Sequence, residues 1–146
     1  MSNRYYEDFT VGETFDLGST QVTEREIIEF AEKYDPQEFH LNKQAASETT
    51  FGELFASGWH TASLCMRQLV DGLLSETAVL SGIGVDSLRW KKPVFAGDEL
   101  TVTADIANKE IWSDDRGVVT FALKATNQRG DVVIYLEDLG LVECRE

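Results

Sequence analysis

The sequence is poor in basic residues, and this shortage limits the partners that the chain can bind. Lys and Arg number 13 against 26 Asp and Glu, which gives a formal net charge of −13 over 146 residues. General nucleic-acid binding is therefore not expected, because it needs basic surfaces that neutralise phosphates. A small anionic substrate is still compatible with this composition, since such a ligand responds to the local field more than to the total charge.

Residues that bind metals and cofactors are also scarce. The two cysteines, Cys65 and Cys144, are too few and too far apart in sequence for a disulfide framework or a zinc site. The two histidines and the scattered acids show no metal-ligand spacing. No glycine-rich phosphate loop lies between a strand and a helix, so we expect neither a metal nor a redox cofactor.

Long hydrophobic runs are absent as well. No apolar stretch approaches the ~20 residues that a membrane-spanning helix needs. Residues 1–9 are polar and acidic and lack the hydrophobic region of a signal peptide, so the sequence predicts a cytoplasmic protein without a membrane segment. With 42% apolar residues and no linker, repeat or low-complexity tract, residues 1–146 are expected to form a single domain.

The first third of the chain reads as a strand followed by helices. We expect a strand over Thr14–Gln21 and an amphipathic helix that presents Ile27, Phe30, Ala31 and Tyr34 at helical spacing. Thr23 and Glu26 have the spacing of a capping box at its start, and Pro36 disfavours helical geometry just beyond its end. A short polar helix is expected over residues 43–48.

Residues 57–74 predict the main helix. Ser57 can cap it, and Gly58 allows another group to approach the backbone closely. Because Leu64 and Cys65 extend the apolar surface beyond one stripe, we expect a core helix buried on most of its faces. The residues of that stripe are Trp59, Ala62, Met66, Leu69, Val70 and Leu73.

From Val79 onward the hydrophobic pattern changes to a period of two. Apolar side chains alternate with polar ones over residues 100–106 and 119–125, and residues 132–142 supply a last strand. Residues 114–117 (DDRG) and 128–131 (QRGD) are hairpin turn signals between these runs. The pattern predicts an α+β fold in which an antiparallel sheet curls around one buried helix, with a meander as the simplest topology.

Two short segments hold candidate functional residues. Residues 34–40 (YDPQEFH) follow the first helix and place Asp35 five residues before His40, in what we expect to be an ordered turn rather than a helix face. An Asp and a His that lie close together are sufficient to activate a water molecule by general base catalysis. The alternative is that the pair has only a structural role and makes the hydrogen bonds of a turn. Arg89, Lys91 and Lys92 form the one dense basic cluster, either a solvated strand end or a docking point for a phosphate-bearing ligand.

Three segments, in this order and spacing, resemble the MaoC-like dehydratases, which include the (R)-specific enoyl-CoA hydratases. They are residues 34–40 (YDPQEFH), 55–64 (FASGWHTASL) and 88–100 (LRWKKPVFAGDEL), and the resemblance extends over residues 9–142. It implies a hot-dog fold, with a long central helix wrapped by a curved antiparallel sheet. It also implies a homodimer or a dimer of dimers formed by edge-to-edge pairing of sheets, with acyl-CoA sites near the interface.

The resemblance further implies reversible syn addition of water to a trans-2-enoyl-CoA. Asp35 would be the likelier base and His40 would orient the water and share the proton transfer, while the Gly58 N–H would hold the thioester oxygen. A side chain at Gly58 should then block the thioester without greatly disturbing the fold, unless Gly58 serves packing alone. Pro93 begins a turn expected to be purely structural.

Substrate-binding residues follow from the same resemblance. Phe39, Phe55 and Trp59 are expected to line an acyl tunnel, as Phe51 and Trp90 could, although each could equally belong to the core. Arg89, Lys91 and Lys92 would bind the nucleotide end of CoA. We expect His60 to be a satisfied core or interface histidine.

The chain departs from the hydratase pattern Asp-x-Asn-Pro-x-His at two places. Proline directly follows Asp35 and no asparagine lies before His40, so Gln37 would have to supply the missing amide. Ser57 stands where those hydratases have a histidine before the glycine. These differences keep two alternatives open: a hot-dog thioesterase, which the absence of Asp and Glu from residues 58–70 disfavours, and an acyl-CoA-binding subunit without efficient chemistry.

Overall fold

A five-stranded antiparallel sheet organises the computed structural model, which describes residues 3–145. Its spatial strand order is β1-β3-β4-β5-β2. The strands are β1 (Thr14–Gln21), β2 (Val79–Trp90), β3 (Glu99–Ser113), β4 (Arg116–Thr126) and β5 (Val132–Glu143). The helices are α1 (Glu24–Tyr34), α2 (Glu38–Leu41), α3 (Lys43–Ser47) and α4 (Gly58–Gly72), with 3₁₀ turns at Tyr6–Asp8 and Leu74–Glu76.

The local signals of the first third are confirmed. The capping box holds the start of α1, since the Thr23 hydroxyl accepts from the Glu26 amide over 3.2 Å and a Glu26 carboxylate oxygen accepts from the Thr23 amide over 3.3 Å. The helix ends at Tyr34, and Asp35 follows it with an extended φ of −152°, which suits a residue that precedes proline. The polar residues 1–9 are described from Asn3 onward, and Met1, Ser2 and Glu146 lie outside the described residues.

The alternating runs form the core face of the sheet, as predicted. Side chains at alternate positions of β3 and β4 are buried against α4, which lies over β1, β3 and β4. The fully buried apolar residues of these two strands are Leu100, Val102, Ala104, Ile106, Val119, Phe121, Leu123 and Ala125. The two predicted hairpins join β3 to β4 and β4 to β5.

The buried face of α4 differs from the predicted stripe. Its buried side chains are His60, Thr61, Cys65 and Leu69, whereas Trp59 is 56% exposed and Val70 is 37% exposed. The expectation of a helix buried on most faces was therefore wrong for this chain alone. A single sheet can bury only one side of a helix that lies on it. The opposite apolar side of α4 is not covered by any of the described residues.

The predicted meander topology was also wrong for β2. Only β3, β4 and β5 follow one another as hairpins, because β2 lies at the far edge beside β5 and β1 pairs with β3. The connection that follows β2 makes backbone hydrogen bonds to the segment before α4 and to the residue that follows β1. The Ala56 amide bonds to the Val94 carbonyl over 2.8 Å, and the Gly97 amide to the Val22 carbonyl over 2.7 Å.

The predicted architecture is confirmed: this is an α+β hot-dog fold, with α4 held against the concave face of a curved antiparallel sheet. Within residues 3–145, no helix is both long enough and apolar enough to span a lipid bilayer.

Candidate active site

The segment between α1 and α3 brings Asp35 and His40 together. Asp35 caps the end of α1 through its amide, which bonds to the Ala31 carbonyl over 2.9 Å. His40 lies on the single helical turn α2 rather than in the non-helical turn predicted from the sequence. That turn begins at Glu38, just after Pro36 has ended α1, and it places His40 Nε2 3.4 Å from Asp35 Oδ2.

The orientation of His40 is fixed by the chain ahead of α4. The ring is 4% exposed, and its Nδ1 lies 2.7 Å from the Phe55 carbonyl oxygen. A carbonyl only accepts hydrogen bonds, so Nδ1 carries a hydrogen. In the neutral ring Nε2 then presents its lone pair on the side of Asp35. The edges of Phe39 and Phe55 confine the imidazole, with ring centroids 4.7 and 4.9 Å away.

Both oxygens of the Asp35 carboxyl accept a short hydrogen bond. Oδ2 accepts from the Ser57 hydroxyl over 2.7 Å, and Oδ1 accepts from the Gln37 side-chain amide over 2.7 Å. Gln37 thus supplies the amide that the absent asparagine leaves missing. The Ser57 bond is the largest cause that lowers the pKa of Asp35, followed by the Gln37 bond and the charge of His40, with partial burial opposing them.

Ser57 is a candidate functional residue that the sequence analysis did not place in the site. It was expected to cap α4, and its hydroxyl does accept from the Trp59 amide over 3.3 Å. The same buried hydroxyl also donates to Asp35, 22 positions away in the sequence. The signal in the sequence was its place immediately before Gly58, where the related hydratases carry another polar side chain.

Gly58 opens α4 beneath an indole ring. As the first residue of the helix it has an amide without an intrahelical acceptor, at the positive end of the helix dipole. Trp90 Nε1 donates to the Gly58 carbonyl over 2.8 Å, and a Cβ at residue 58 would overlap the Trp90 ring, lying 2.6 Å from its Cδ2. A side chain at residue 58 therefore requires the Trp90 ring to move, a cost that the sequence-based expectation did not include.

These groups surround one pocket of about 370 Å³. It brings together Asp35, His40, Gly58, Phe55 and Trp59 from the predicted site, and Lys91 and Lys92 line it too. The remaining lining residues are Gln37, Phe51, Ala56, Thr61, Trp90, Pro93, Val94 and Val133. The turn that begins at Pro93, expected to be purely structural, thus forms part of this wall.

Two residues of the predicted site lie outside the pocket lining. Phe39 lies behind the wall, where its ring stacks on Phe55 at 5.3 Å between centroids. Arg89 lies on β2, with its guanidinium bonded to the Leu88 carbonyl over 2.8 Å. Of the two pocket lysines, Lys92 is 3.5 Å from the Asp131 carboxylate, an exposed pair that leaves its ammonium accessible.

His60 is buried without the partner that we expected. Its Nδ1 makes no hydrogen bond within residues 3–145, and its ring stacks on Phe30 at 5.0 Å between centroids. Burial lowers the pKa of His60, and the charge of Glu26 only partly opposes this effect. The stack holds α1, which ends just before Asp35, against the start of α4.

Comparisons with known proteins place the chain in a family. Residues 8–128 match the MaoC like domain family. A MaoC-like dehydratase from Rhodospirillum rubrum is 39% identical, with a TM-score of 0.88 over 97% of this chain and 98% of that one. The (R)-hydratase PhaJ1 from Pseudomonas aeruginosa is 26% identical, with a TM-score of 0.74 over 99% and 88% of the two chains.

A more distant likeness concerns the fold alone. A conserved hypothetical protein from Mycobacterium tuberculosis with a double hot-dog fold is 12% identical, and its TM-score is 0.81 over 97% of this chain and 44% of that one. This chain thus spans less than half of that protein.

Proposed function

Because the chain belongs to the MaoC-like domain family, we propose that it is a hydratase or dehydratase that adds water reversibly to a trans-2-enoyl-CoA. The observation that carries this proposal is the meeting of Asp35, His40 and the Gly58 amide around one pocket. The pocket also has an aromatic wall for an acyl chain and two lysines for phosphate groups, which suits an acyl-CoA thioester.

The proposed reaction uses three groups of this chain. A water molecule bound by Asp35 and His40 attacks C3 of the enoyl group, and a general base of this kind is typically worth roughly 10²–10⁴ in rate. The Gly58 N–H holds the thioester oxygen while negative charge develops on it, and one such donor is typically worth roughly 10²–10³. The proton returns to C2 on the same face.

Substrate binding is assigned to the rest of the lining. Phe55 and Trp59, together with Phe51, would contact the acyl chain, while Phe39 would support Phe55 from behind. Lys91 and Lys92 would bind CoA phosphates, and Arg89 is left for the outer nucleotide end. The cytoplasmic location that the sequence predicts is kept as part of this proposal.

A second copy of the chain is the proposed partner. β2 has only β5 beside it, so its outer edge offers unpaired backbone groups, and such edges invite strand pairing. Leu80, Ile83 and Val85 on β2 are 42–50% exposed, and Val70 on the uncovered side of α4 is 37% exposed. Edge-to-edge pairing of two β2 strands would cover both surfaces and make a homodimer, which a further pairing could extend to a dimer of dimers.

Two other functions remain alternatives. A hot-dog thioesterase that uses an acid on the central helix is disfavoured, because Asp71 near the far end of α4 forms an exposed ion pair with Arg67 over 2.7 Å. A binding subunit without chemistry would keep the pocket and lose turnover.

The test is hydration of crotonyl-CoA and of a longer trans-2-enoyl-CoA, followed by loss of the enoyl-thioester absorbance. Wild type is compared with Asp35→Asn and His40→Ala, and with Asp71→Asn as a matched control for a carboxyl outside the pocket. Release of free thiol is measured in parallel.

Turnover in wild type and Asp71→Asn, together with losses of roughly 10²-fold or more in the folded Asp35 and His40 variants, would support the proposal. Thiol release without hydration would favour the thioesterase. Tight CoA-thioester binding with neither reaction would favour the binding subunit.

A further inference from the structure

Each oxygen of the Asp35 carboxylate accepts a hydrogen bond from a different side chain. The Ser57 hydroxyl is fully buried and uses its oxygen to accept from the Trp59 amide, so its hydrogen points to Asp35 Oδ2. Gln37 donates from the opposite side to Oδ1. An ionised carboxylate only accepts hydrogen bonds, so both contacts favour the charged form.

His40 presents the opposite arrangement. Its Nδ1 hydrogen is used by the Phe55 carbonyl, which leaves Nε2 as an acceptor. The 3.4 Å from Nε2 to Asp35 Oδ2 exceeds the usual length of an N–H···O hydrogen bond, so Nε2 is available to a third group. A water molecule between them can donate one hydrogen to each residue and point a lone pair into the pocket.

We infer that Ser57 and Gln37 are positioning residues that hold Asp35 as an anion which orients the water, and that His40 Nε2 takes the proton from that water. This assignment rests on the proposed hydration. It reverses the sequence-based expectation in which Asp35 was the base and His40 the orienting group.

The chemical step balances without any further reactant. The water oxygen forms a bond to C3 while its O–H bond breaks and the proton moves to His40 Nε2. The C2–C3 π electrons shift toward the thioester, whose oxygen carries the charge opposite the Gly58 N–H. The Nε2 proton then moves to C2, the charge collapses, and His40 is neutral again.

The relative basicity of the two side chains favours this direction. An imidazole is ordinarily a stronger base than a carboxylate, and hydrogen bonds to the carboxylate weaken it further. The lowered pKa of Asp35, with the Ser57 bond as its largest cause, agrees with the geometry. His40 on α2 faces Asp35 directly, and the other charged groups lining the pocket are Lys91 and Lys92, which follow β2.

The test separates the ionisation of Asp35 from the ionisation that limits the rate. Ser57→Ala and Gln37→Leu each remove one donor. Ser63→Ala removes a hydroxyl of the same helix that bonds to the Trp59 carbonyl, and Gln44→Leu removes an exposed amide that bonds to Glu48, so these two are matched controls.

Two quantities are measured for each variant. The titration of the Asp35 carboxyl is followed by ¹³C NMR in the substrate-free protein, over the pH range in which circular dichroism shows it folded. The pH profile of kcat/KM for crotonyl-CoA hydration then gives the acidic limb, which reports the base of the free enzyme.

We expect the Asp35 midpoint to rise in Ser57→Ala and Gln37→Leu and to stay unchanged in both controls. kcat should fall roughly tenfold in Ser57→Ala, since small misplacements of catalytic groups are costly. The acidic limb of kcat/KM should not move with the Asp35 midpoint, because Asp35 orients the water and does not take its proton. Gln37 is exposed, so its variant keeps the test valid if Ser57→Ala folds poorly.

Either of two results would overturn the inference. An acidic limb that moves together with the Asp35 midpoint would make Asp35 the base. An unchanged Asp35 midpoint in both donor variants would remove the positioning role of Ser57 and Gln37. If wild type turns over no enoyl-CoA, the proposed function and the role of His40 fail together, while the NMR midpoints still decide the roles of Ser57 and Gln37.

Discussion

Trp90 closes over Gly58: the indole nitrogen at the end of β2 donates to the carbonyl of the first residue of α4 over 2.8 Å. The contact joins the edge of the sheet to the helix terminus that carries the proposed thioester site. It also fills the space that any side chain at residue 58 would occupy. The packing of Trp90 therefore requires a glycine at residue 58 even when no substrate is bound.

Replacing Gly58 with Ala should displace the Trp90 ring and lower the free energy of unfolding by roughly 1–3 kcal/mol, as overpacking generally does. Urea unfolding followed by circular dichroism measures the loss. The double variant Gly58→Ala with Trp90→Ala removes the overlapping ring, so it should be more stable than the value obtained by adding the two single effects. Additive losses would contradict the contact.

Lys91→Ala combined with Lys92→Ala should raise KM for enoyl-CoA roughly tenfold and change kcat little, because phosphate contacts far from the reacting atoms bind the ground and transition states equally. The effect should shrink as ionic strength rises. Steady-state kinetics at low and high salt measure both. Lys124→Ala, an exposed lysine of β4 outside the pocket, is the control, and an equal loss there would reduce the effect to total charge.

Removing the buried carboxyl of Asp138 should stabilise the protein in a pH-dependent way. Its side chain lies on the inner face of β5, is 5% exposed and forms no hydrogen bond or ion pair within residues 3–145. Burial raises the pKa of Asp138, so ionisation penalises the folded state. The penalty is absent below the pKa of the unfolded chain, grows as pH rises through the raised folded pKa and is complete above it.

Asp138→Asn should therefore raise the free energy of unfolding by about 1 kcal/mol at pH 7 and give no such gain at pH 3.5. Urea titrations at the two pH values compare the variant with wild type. Asp105→Asn, an exposed carboxyl on β3, is the control and should show no comparable gain at pH 7. A stabilisation of Asp138→Asn that is independent of pH would contradict the ionisation argument.

Ile83→Asp should convert the proposed dimer to a monomer, since it places a charge in the middle of the uncovered edge strand. Light scattering coupled to gel filtration gives the mass directly. Ile111→Asp is the matched control, because Ile111 is 61% exposed on β3, away from this edge. A wild-type mass for Ile83→Asp would move the partner surface elsewhere on the molecule.

The parts of the fold that depend on interactions between neighbouring residues could be predicted from the sequence. Thr14–Gln21 and the Thr23 cap depend on neighbours within a few residues, so alternation and capping rules located them at the correct positions. Burial of alternate residues in β3 and β4 followed from the same short-range pattern. The fold class came from the order of these elements, and the resemblance of three segments supplied the name of the fold.

Long-range packing decided what the sequence could not. The edge position of β2 depends on its pairing with β5, and no local signal separates a hairpin from a crossing connection. The apolar residues of α4 could not indicate which side faces the sheet, because both sides are apolar. Ser57 read as a cap since caps are local, while its bond to Asp35 exists only after α1 and α4 have packed.

The place of β5 between β4 and β2 bears on how the chain is made. A ribosome releases α1, α4 and β2 well before it releases β5, and β2 has no other strand to pair with. Until β5 has been synthesised, β2 stays unpaired with its apolar side chains exposed to water. Unpaired strands of this kind are prone to aggregate. Loss of β5 would therefore leave β2, which lies much earlier in the chain, without a strand to pair with.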